Sequence, residues 1–421
     1  MHIGIVHYAA PPVVGGVELT IFHHARILTA LGHQVTVVAG RGDSVQPGVT
    51  YKDEPLAGSG GEIINRINTA LAAGNIPADF EELVGQTQTA LLNHLGDCDV
   101  IIGHNFFTLH KNQLLTTAVY RLTQTKQGPP WVAWHHDFAW LRPQYQDELH
   151  PSEPWTLLKQ PWPGVRHVTV SQAQQIDLAR LYGLPLEQIT VVSPGVDPID
   201  FWRCGQKVAG LIEQWQLLEA DCVFLLPARI TRRKNIELGL RWLAAVRQAA
   251  GWDARLIITG PPGPHNPTNA AYLENLLSIQ RELNLTDAVH FVYQAYGADQ
   301  QLLLDDAELA NFYQIADAML FPSRQEGFGI PILEAGLARL PIFATDLPPF
   351  RESAAAKATL FPLDTPFAEV AATITTTLQT DRAFQLRRRV RTHFTWQGIV
   401  KHKILPLLSQ VAADSVVTSE Q

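Results

Sequence analysis

Short apolar runs that stop at Gly, Pro or polar loops recur along this chain, most of them followed by a stretch with helical spacing. The first sets the pattern: Ile3 to Val6, a loop from Ala10 to Gly16, then Ile21, Phe22, Ala25, Leu28 and Leu31 on one helical stripe. Gly32 stops the helix, and a second apolar run, Val35 to Ala39, follows at once. Strands joined through a helix pair in parallel, and a sheet so built is covered on both faces, which is why its strands are unbroken apolar runs. Residues 99–103, 131–135, 166–171 and 189–193 continue this series. A second series runs through Cys222 to Ala228, Arg255 to Thr259, Val289 to Val292, Ala318 to Pro322 and Pro341 to Ala344, with helical segments between. The chain is therefore expected to be α/β, with two doubly wound parallel sheets. The stretch Pro194 to Gly205, with Pro194, Gly195, Pro198, Phe201 and Trp202, is the expected hinge between them.

Composition removes most other classes. At 421 residues and 46% hydrophobic the chain can bury large cores, and its 29 Gly and 28 Pro are dispersed without the period of collagen or low-complexity sequence. A formal charge of -8 offers no global field to nucleic acid or an anionic membrane, so any anion site must be local. Cys98, Cys204 and Cys222 lack disulfide or metal-ligand spacing, which fits a reducing, cytoplasmic setting. No apolar run reaches the ~18 residues that span a bilayer, and Met1 to Val6 fits a first buried strand better than a targeting signal. The basic stretch Arg387 to Arg391 is expected to be a solvated helix face rather than a lipid contact. Ile63, Ile64, Ile67 and Leu71 form a stripe suited to packing.

Four constellations carry chemistry. Glu326-Gly327-Phe328-Gly329, then Pro331 and Glu334, directly follow the strand Ala318 to Pro322. The glycines let backbone approach a ligand or take positive φ, and Pro331 suits the first turn of a helix, from about Ile330 to Arg339, whose free N–H groups would face an anion. Arg229 and Lys234 follow the strand ending at Ala228, with a helix beginning near Asn235. Cations at a helix entrance oppose its dipole unless an anion lies between them, and a diphosphate would satisfy both. Arg232 and Arg233 are expected to be solvated. Gly15-Gly16 precede the first helix, with Glu18 near its first turn, but the full G-x-G-x-x-G fingerprint is missing, which disfavours a dinucleotide oxidoreductase. His135-His136-Asp137 follow a buried strand, where a histidine can donate to a sugar hydroxyl or a developing charge.

Together, Glu326-x7-Glu334 with Gly327-Phe328-Gly329, the Arg229-x4-Lys234 pair, the Gly-Gly-x-Glu loop, His136-Asp137 and Ser193-Pro194-Gly195-Val196-Asp197 resemble glycosyltransferase family 4. The resemblance runs from Met1 to about Leu408. It implies a GT-B fold, two Rossmann-like doubly wound parallel-sheet domains facing across a cleft, with 1–195 on the acceptor side, 206–390 binding the nucleotide-sugar donor, 391–411 crossing back and 412–421 a frayed tail. It further implies a retaining hexosyltransferase that moves a hexose from a UDP- or GDP-sugar to an acceptor hydroxyl of a sugar, polyol or glycolipid head group. Nucleic acid and a transmembrane segment play no part, and peripheral membrane contact is not indicated.

By the same resemblance, Arg229 and Lys234 would neutralise the donor diphosphate and Glu334 would accept the ribose hydroxyls. Glu326 would hold the sugar near its anomeric carbon, and backbone N–H groups of Phe328, Gly329 and Ile330 would bind sugar or phosphate. Gly16 would lie under the diphosphate. His136, or else His135, would touch the sugar or acceptor. Front-face attack, in which the leaving phosphate oxygen takes the acceptor proton, would need no protein nucleophile, metal or cofactor. Two sequence departures stand out: Ser193-Pro194-Gly195 lacks the usual Asn, and Tyr293 stands where a Gly is common. The loop Gly260 to Asn266 is expected to lie at the surface. Two other readings share the motifs, a sugar-nucleotide epimerase of the same fold and a non-catalytic sugar-nucleotide-binding subunit.

Overall fold

The apolar runs form parallel strands in the computed structural model, which describes residues 1–43, 46–263, 268–295 and 304–419. The first sheet comprises β1 (His2–His7), β2 (Gln34–Ala39), β3 (Val49–Asp53), β4 (Val100–His104), β5 (Trp131–His135), β6 (Arg166–Thr169) and β7 (Ile189–Val191) in the order β3-β2-β1-β4-β5-β6-β7. The second comprises β8 (Cys222–Leu226), β9 (Ala254–Ile258), β10 (Val289–Phe291), β11 (Ala318–Phe321), β12 (Ile342–Thr345) and β13 (Thr359–Phe361), ordered β10-β9-β8-β11-β12-β13. Every pairing is parallel. Central strands are buried over nearly their whole length, with Ile3 and Ile5 of β1 facing Val35 and Val37 of β2 on one side and Val100 and Ile102 of β4 on the other. Each sheet reverses its order of growth beside its first strand, between β1 and β4 and between β8 and β11.

The sequence pattern misses β3 and β13. Both are edge strands with exposed or half-buried residues, so neither carries an unbroken apolar run. β3 and a short 3₁₀ turn at Pro55–Ala57 follow β2; Ser44 and Val45 are outside the described residues.

The chain divides into one unit of Met1–Gly195 plus Trp396–Gln421 and another of Val196–Thr395. The two points where it passes between units are neighbours: Val196 N–H donates to Phe394 O at 2.8 Å, and Val196 bridges Thr395. Asp197 then caps the short helix Pro198–Trp202, accepting from Ile199 and Asp200 N–H groups. Trp396, where the chain re-enters the first unit, stacks on His23 with ring centroids 5.2 Å apart. The sequence reading ends the second domain at residue 390 and leaves 412–421 frayed. Instead the helix Arg382–His393 remains with the second unit, and the last helix, Leu405–Ser419, continues past Val411. Asp414 on that continuation pairs with Arg166 at 3.6 Å.

The basic stretch 387–391 is mostly neither solvated nor lipid-facing. Arg391 is buried and pairs with the buried Asp317 at 2.8 Å, while its other nitrogen donates to the carbonyls of Ala220 and Asp221. Arg387 also reaches Asp317, and Arg388 pairs with Asp221; only Arg389 is exposed. Val223 N–H donates to the same Asp317 carboxylate at 2.8 Å, which ties this helix to the start of β8. Removing one partner strands a buried charge. Asp317→Ala is therefore expected to destabilise the second unit by about 3–5 kcal/mol in chemical denaturation, and a loss under about 1 kcal/mol would contradict this account.

Candidate active site

Loops leaving the carboxyl ends of strands on either side of an order reversal diverge, and the crevice between them is where open α/β sheets bind ligands. In the second unit those strands are β8 and β11. The loop after β8 carries Arg229 and Lys234, and the loop after β11 carries Ser323 and Glu326, so residues some ninety positions apart meet. Lys234 Nζ lies 2.5 Å from Glu326 Oε1, Ser323 Oγ donates to the same oxygen at 2.8 Å, and Arg233 Nη1 reaches Oε2 at 2.9 Å. Lys234 and Glu326 side chains are only 10% and 8% exposed, against 54% for Arg233. The lysine ammonium also sits 4.9 Å from the centre of the Phe321 ring.

Local backbone explains the placement. Asn235 takes a left-handed φ of +52°, and its amide donates to Pro322 O at 3.0 Å, joining the two loops immediately beside Lys234. The helix Ile236–Ala250 begins there, with the Ile236 N–H donating to Tyr272 Oη. Gly329, with φ +93°, turns the chain into the helix Ile330–Leu337, and a Cβ there would lie 2.8 Å from Phe350. Pro331 occupies the first turn. Gly327 has open space where a side chain would be. Phe328 and Ile330 are exposed. Glu334, half-buried on this helix, accepts from Tyr313 Oη at 2.5 Å.

Charge at this site is finely opposed. Burial pulls the Lys234 ammonium below its usual range despite hydrogen bonding to Glu326. Burial would likewise raise the Glu326 carboxyl, but hydrogen bonds from Lys234 and Ser323, with the charges of Lys234 and Arg233, outweigh it and leave the carboxyl below its usual range. Glu326 is thus the anion that cations at this helix entrance require. Arg229 is exposed and has no ion pair among the described residues.

The first unit concentrates histidines at its own order reversal. His7, His104 and His135 are the last residues of β1, β4 and β5, and His136 follows. His7 Nδ1 donates to His104 O at 2.8 Å, and His104 Nδ1 lies 3.2 Å from His136 Nε2. His135 is fully buried, bonded to Thr108 Oγ1 and to His167, both at 3.1 Å. Asn105, at φ +69°, accepts from the N–H groups of His136 and Asp137 and so sets the turn after β5. Of the two candidate histidines, His136 is the one with solvent exposure. Gly16 is exposed with open space around its Cα, whereas the Glu18 carboxylate folds back over Gly15, so a phosphate nearing this helix would meet a negative charge.

Two family models match the chain, Glycosyltransferase Family 4 over residues 14–199 and Glycosyl transferases group 1 over residues 211–392. The chain belongs to glycosyltransferase family 4. Similar curated proteins include the mannosylglucosylglycerate synthases of Petrotoga mobilis, 26% identical over 63% of this chain and 63% of that one, and of Thermotoga maritima, 24% identical over 81% and 80%. The D-inositol 3-phosphate glycosyltransferase of Kineococcus radiotolerans is 29% identical over 42% of this chain and 39% of its own length. The chain thus spans less than two thirds of the length of the first and third of these relatives.

In this family 4 glycosyltransferase the structure brings together Lys234 and Glu326, and sets Gly327, Phe328, Gly329, Ile330 and Glu334 on the same loop and helix. Gly16 and His136 belong to the other unit. Arg232 and Arg233 are exposed, as expected of solvated cations, but Arg233 also reaches the Glu326 carboxylate, because Asn235 turns the loop back toward Pro322, and Arg232 lies over the Tyr272 ring. Sequence reasoning also missed Ser323, Tyr313, His7 and His104. A histidine closing three successive inner strands was the available signal for the last two. Phe106, Phe107, Trp134 and Phe138 are buried core residues. Tyr293 forms part of a 3₁₀ turn after β10, and of the loop 260–266 only Gly260 to Gly263 are described. Among the described residues no three His, Cys, Asp or Glu side chains are placed to hold a metal ion, and no helix is long and apolar enough to cross a membrane.

Burial keeps the imidazoles neutral. It draws His7 and His167 down to about 4 and His24 and His136 to about 3, with neighbouring imidazoles adding to the effect at His24 and His136. In the unfolded chain these rings titrate near 6.5, so below that pH the unfolded state binds protons that the folded state refuses, and stability falls toward pH 4. The unfolding midpoint of the first unit is expected to drop between pH 7.5 and 5, and to drop less in His24→Leu. An unchanged midpoint would contradict the buried neutral cluster.

Proposed function

We propose that this family 4 enzyme is a retaining hexosyltransferase that moves a hexose from a nucleotide-diphosphate sugar to an acceptor hydroxyl. The observation that carries this reading is the buried Lys234–Glu326–Ser323 cluster at the order reversal of the second sheet. A diphosphate arriving there offers Lys234 and the exposed Arg229 a second anion, and the growing charge of the leaving group is where preorganised cations contribute most to rate. Glu326, held ionised, then accepts from sugar hydroxyls beside the anomeric carbon, with Phe328, Gly329 and Ile330 N–H groups nearby. Glu334 accepts the ribose diol. In the first unit, neutral His136 is the group proposed to bond a sugar or acceptor hydroxyl. An imidazole with a pKa near 3 serves as a hydrogen-bonding group, not as an acid at pH 7.

In the proposed step the acceptor oxygen bonds to the anomeric carbon on the face the diphosphate leaves. The carbon–oxygen bond to the diphosphate breaks, and the acceptor proton passes to the departing phosphate oxygen. Configuration is retained, and neither a protein nucleophile nor a metal takes part. Two similar proteins are named for small polar molecules, mannosylglucosylglycerate and D-inositol 3-phosphate, which supports a free sugar or polyol acceptor over a glycolipid head group.

Lys234→Ala and Glu326→Gln are each expected to lower kcat/KM for transfer by about a hundredfold or more. Wild-type rates in both variants would remove these residues from the site. Product NMR reads the other terms of the proposal: an inverted glycosidic configuration excludes the front-face step, and an epimerised sugar nucleotide from donor alone replaces the transferase with an epimerase.

A further inference from the structure

We infer that Tyr313 is a positioning residue for the nucleotide: it holds Glu334 so that the carboxylate meets a ribose diol, and so sets the preference for a ribonucleoside over a 2′-deoxyribonucleoside diphosphate. This rests on the reading of Glu334 as the ribose-binding carboxylate. Tyr313 lies near the end of the helix Asp306–Ile315, which runs into β11, and Glu334 lies on the helix Ile330–Leu337, which follows β11. The two helices therefore approach the same strand from its opposite ends in sequence. The Tyr313 ring is 5% exposed and belongs to the apolar core that also holds Ile332 and Ala335, two residues of the helix that carries Glu334. Its hydroxyl donates to Glu334 Oε2 at 2.5 Å.

Two features separate this contact from routine satisfaction of a buried phenol. Glu334 has no ion pair among the described residues, unlike Glu326, which is held by two cations. A carboxylate without a cation repels phosphate and suits hydroxyl donors. Its Oε1 also has no described partner, so Tyr313 fixes one oxygen and leaves the other to accept. A glutamate has three rotatable bonds, and fixing them before the ligand arrives removes an ordering cost from binding. Burial and the Glu334 charge both raise the Tyr313 phenol above its usual range, so it remains a donor throughout neutral pH.

Calorimetric titration of the full chain with UDP, GDP and ADP identifies the nucleotide that binds. That nucleotide and its 2′-deoxy form are then compared on the wild type, Tyr313→Phe and Glu334→Gln. The wild type is expected to prefer the ribonucleotide, and Tyr313→Phe to lose about tenfold of that preference, equivalent to about 1.4 kcal/mol, with donor KM rising more than kcat falls. A purely structural tyrosine would lower the melting temperature and leave the ratio unchanged. If Tyr313→Phe keeps the wild-type ratio while Glu334→Gln loses it, the positioning role is wrong and the ribose reading stands. If neither variant changes the ratio, or the wild type shows no preference, the ribose reading falls and the positioning role falls with it.

Discussion

Reversal of strand order beside the first strand of each parallel sheet is the constraint on which both candidate sites depend. Crossover helices before and after that point lie on opposite faces, so the loops leaving β1 and β4, and those leaving β8 and β11, part at the carboxyl ends of their strands. Residues far apart in sequence are delivered to one place without any long loop. In the second sheet they are Lys234 and Glu326; in the first they are His7, His104 and His136.

The second sheet's pair illustrates why a charge pair is tolerated there. Withdrawing two ions from water is costly, and a buried pair gives little net stability unless its remaining valences are filled. Here Ser323 and Arg233 add hydrogen bonds and charge, so Glu326 stays ionised although burial by itself would favour the neutral acid. A cluster so arranged keeps a lysine and a carboxylate charged and oriented at the mouth of a helix, where a polyanionic ligand gains most. The histidine cluster follows the opposite rule. Among the described residues no cation or carboxylate lies within hydrogen-bond distance of His104 or His135, and burial pulls these imidazoles well below their usual range. The nearest carboxylate to His7, Glu18, is 3.9 Å away.

Much of this was legible in the sequence, for physical reasons that also mark where legibility ends. Strands buried on both faces declare themselves as apolar runs, so the nine inner strands were found, and the edge strands β7 and β10 with them because each follows a helical segment as a short apolar run; β3 and β13, edge strands of mostly exposed or half-buried residues, left no such trace. Glu326 and Glu334 stood out because two glycines and Pro331 fix their helix entrance. Arg233 did not, because its partner lies across the order reversal and only the left-handed turn at Asn235 aims it there. The run 387–391 misled for the same reason: charge periodicity on a helix does not disclose that Asp317, buried at the start of β11, awaits Arg391. Tertiary partners of charged residues are the part of a site that one sequence hides.

The central claim is that Lys234 is the diphosphate's cation. Its most direct test is calorimetric comparison of a nucleoside with its diphosphate on the full-length wild type and on Lys234→Met. The account predicts that the wild type binds the diphosphate much more tightly than the nucleoside, and that Lys234→Met loses most of that difference while still binding the nucleoside. A Lys234→Met protein that keeps the wild-type advantage of diphosphate over nucleoside would contradict it.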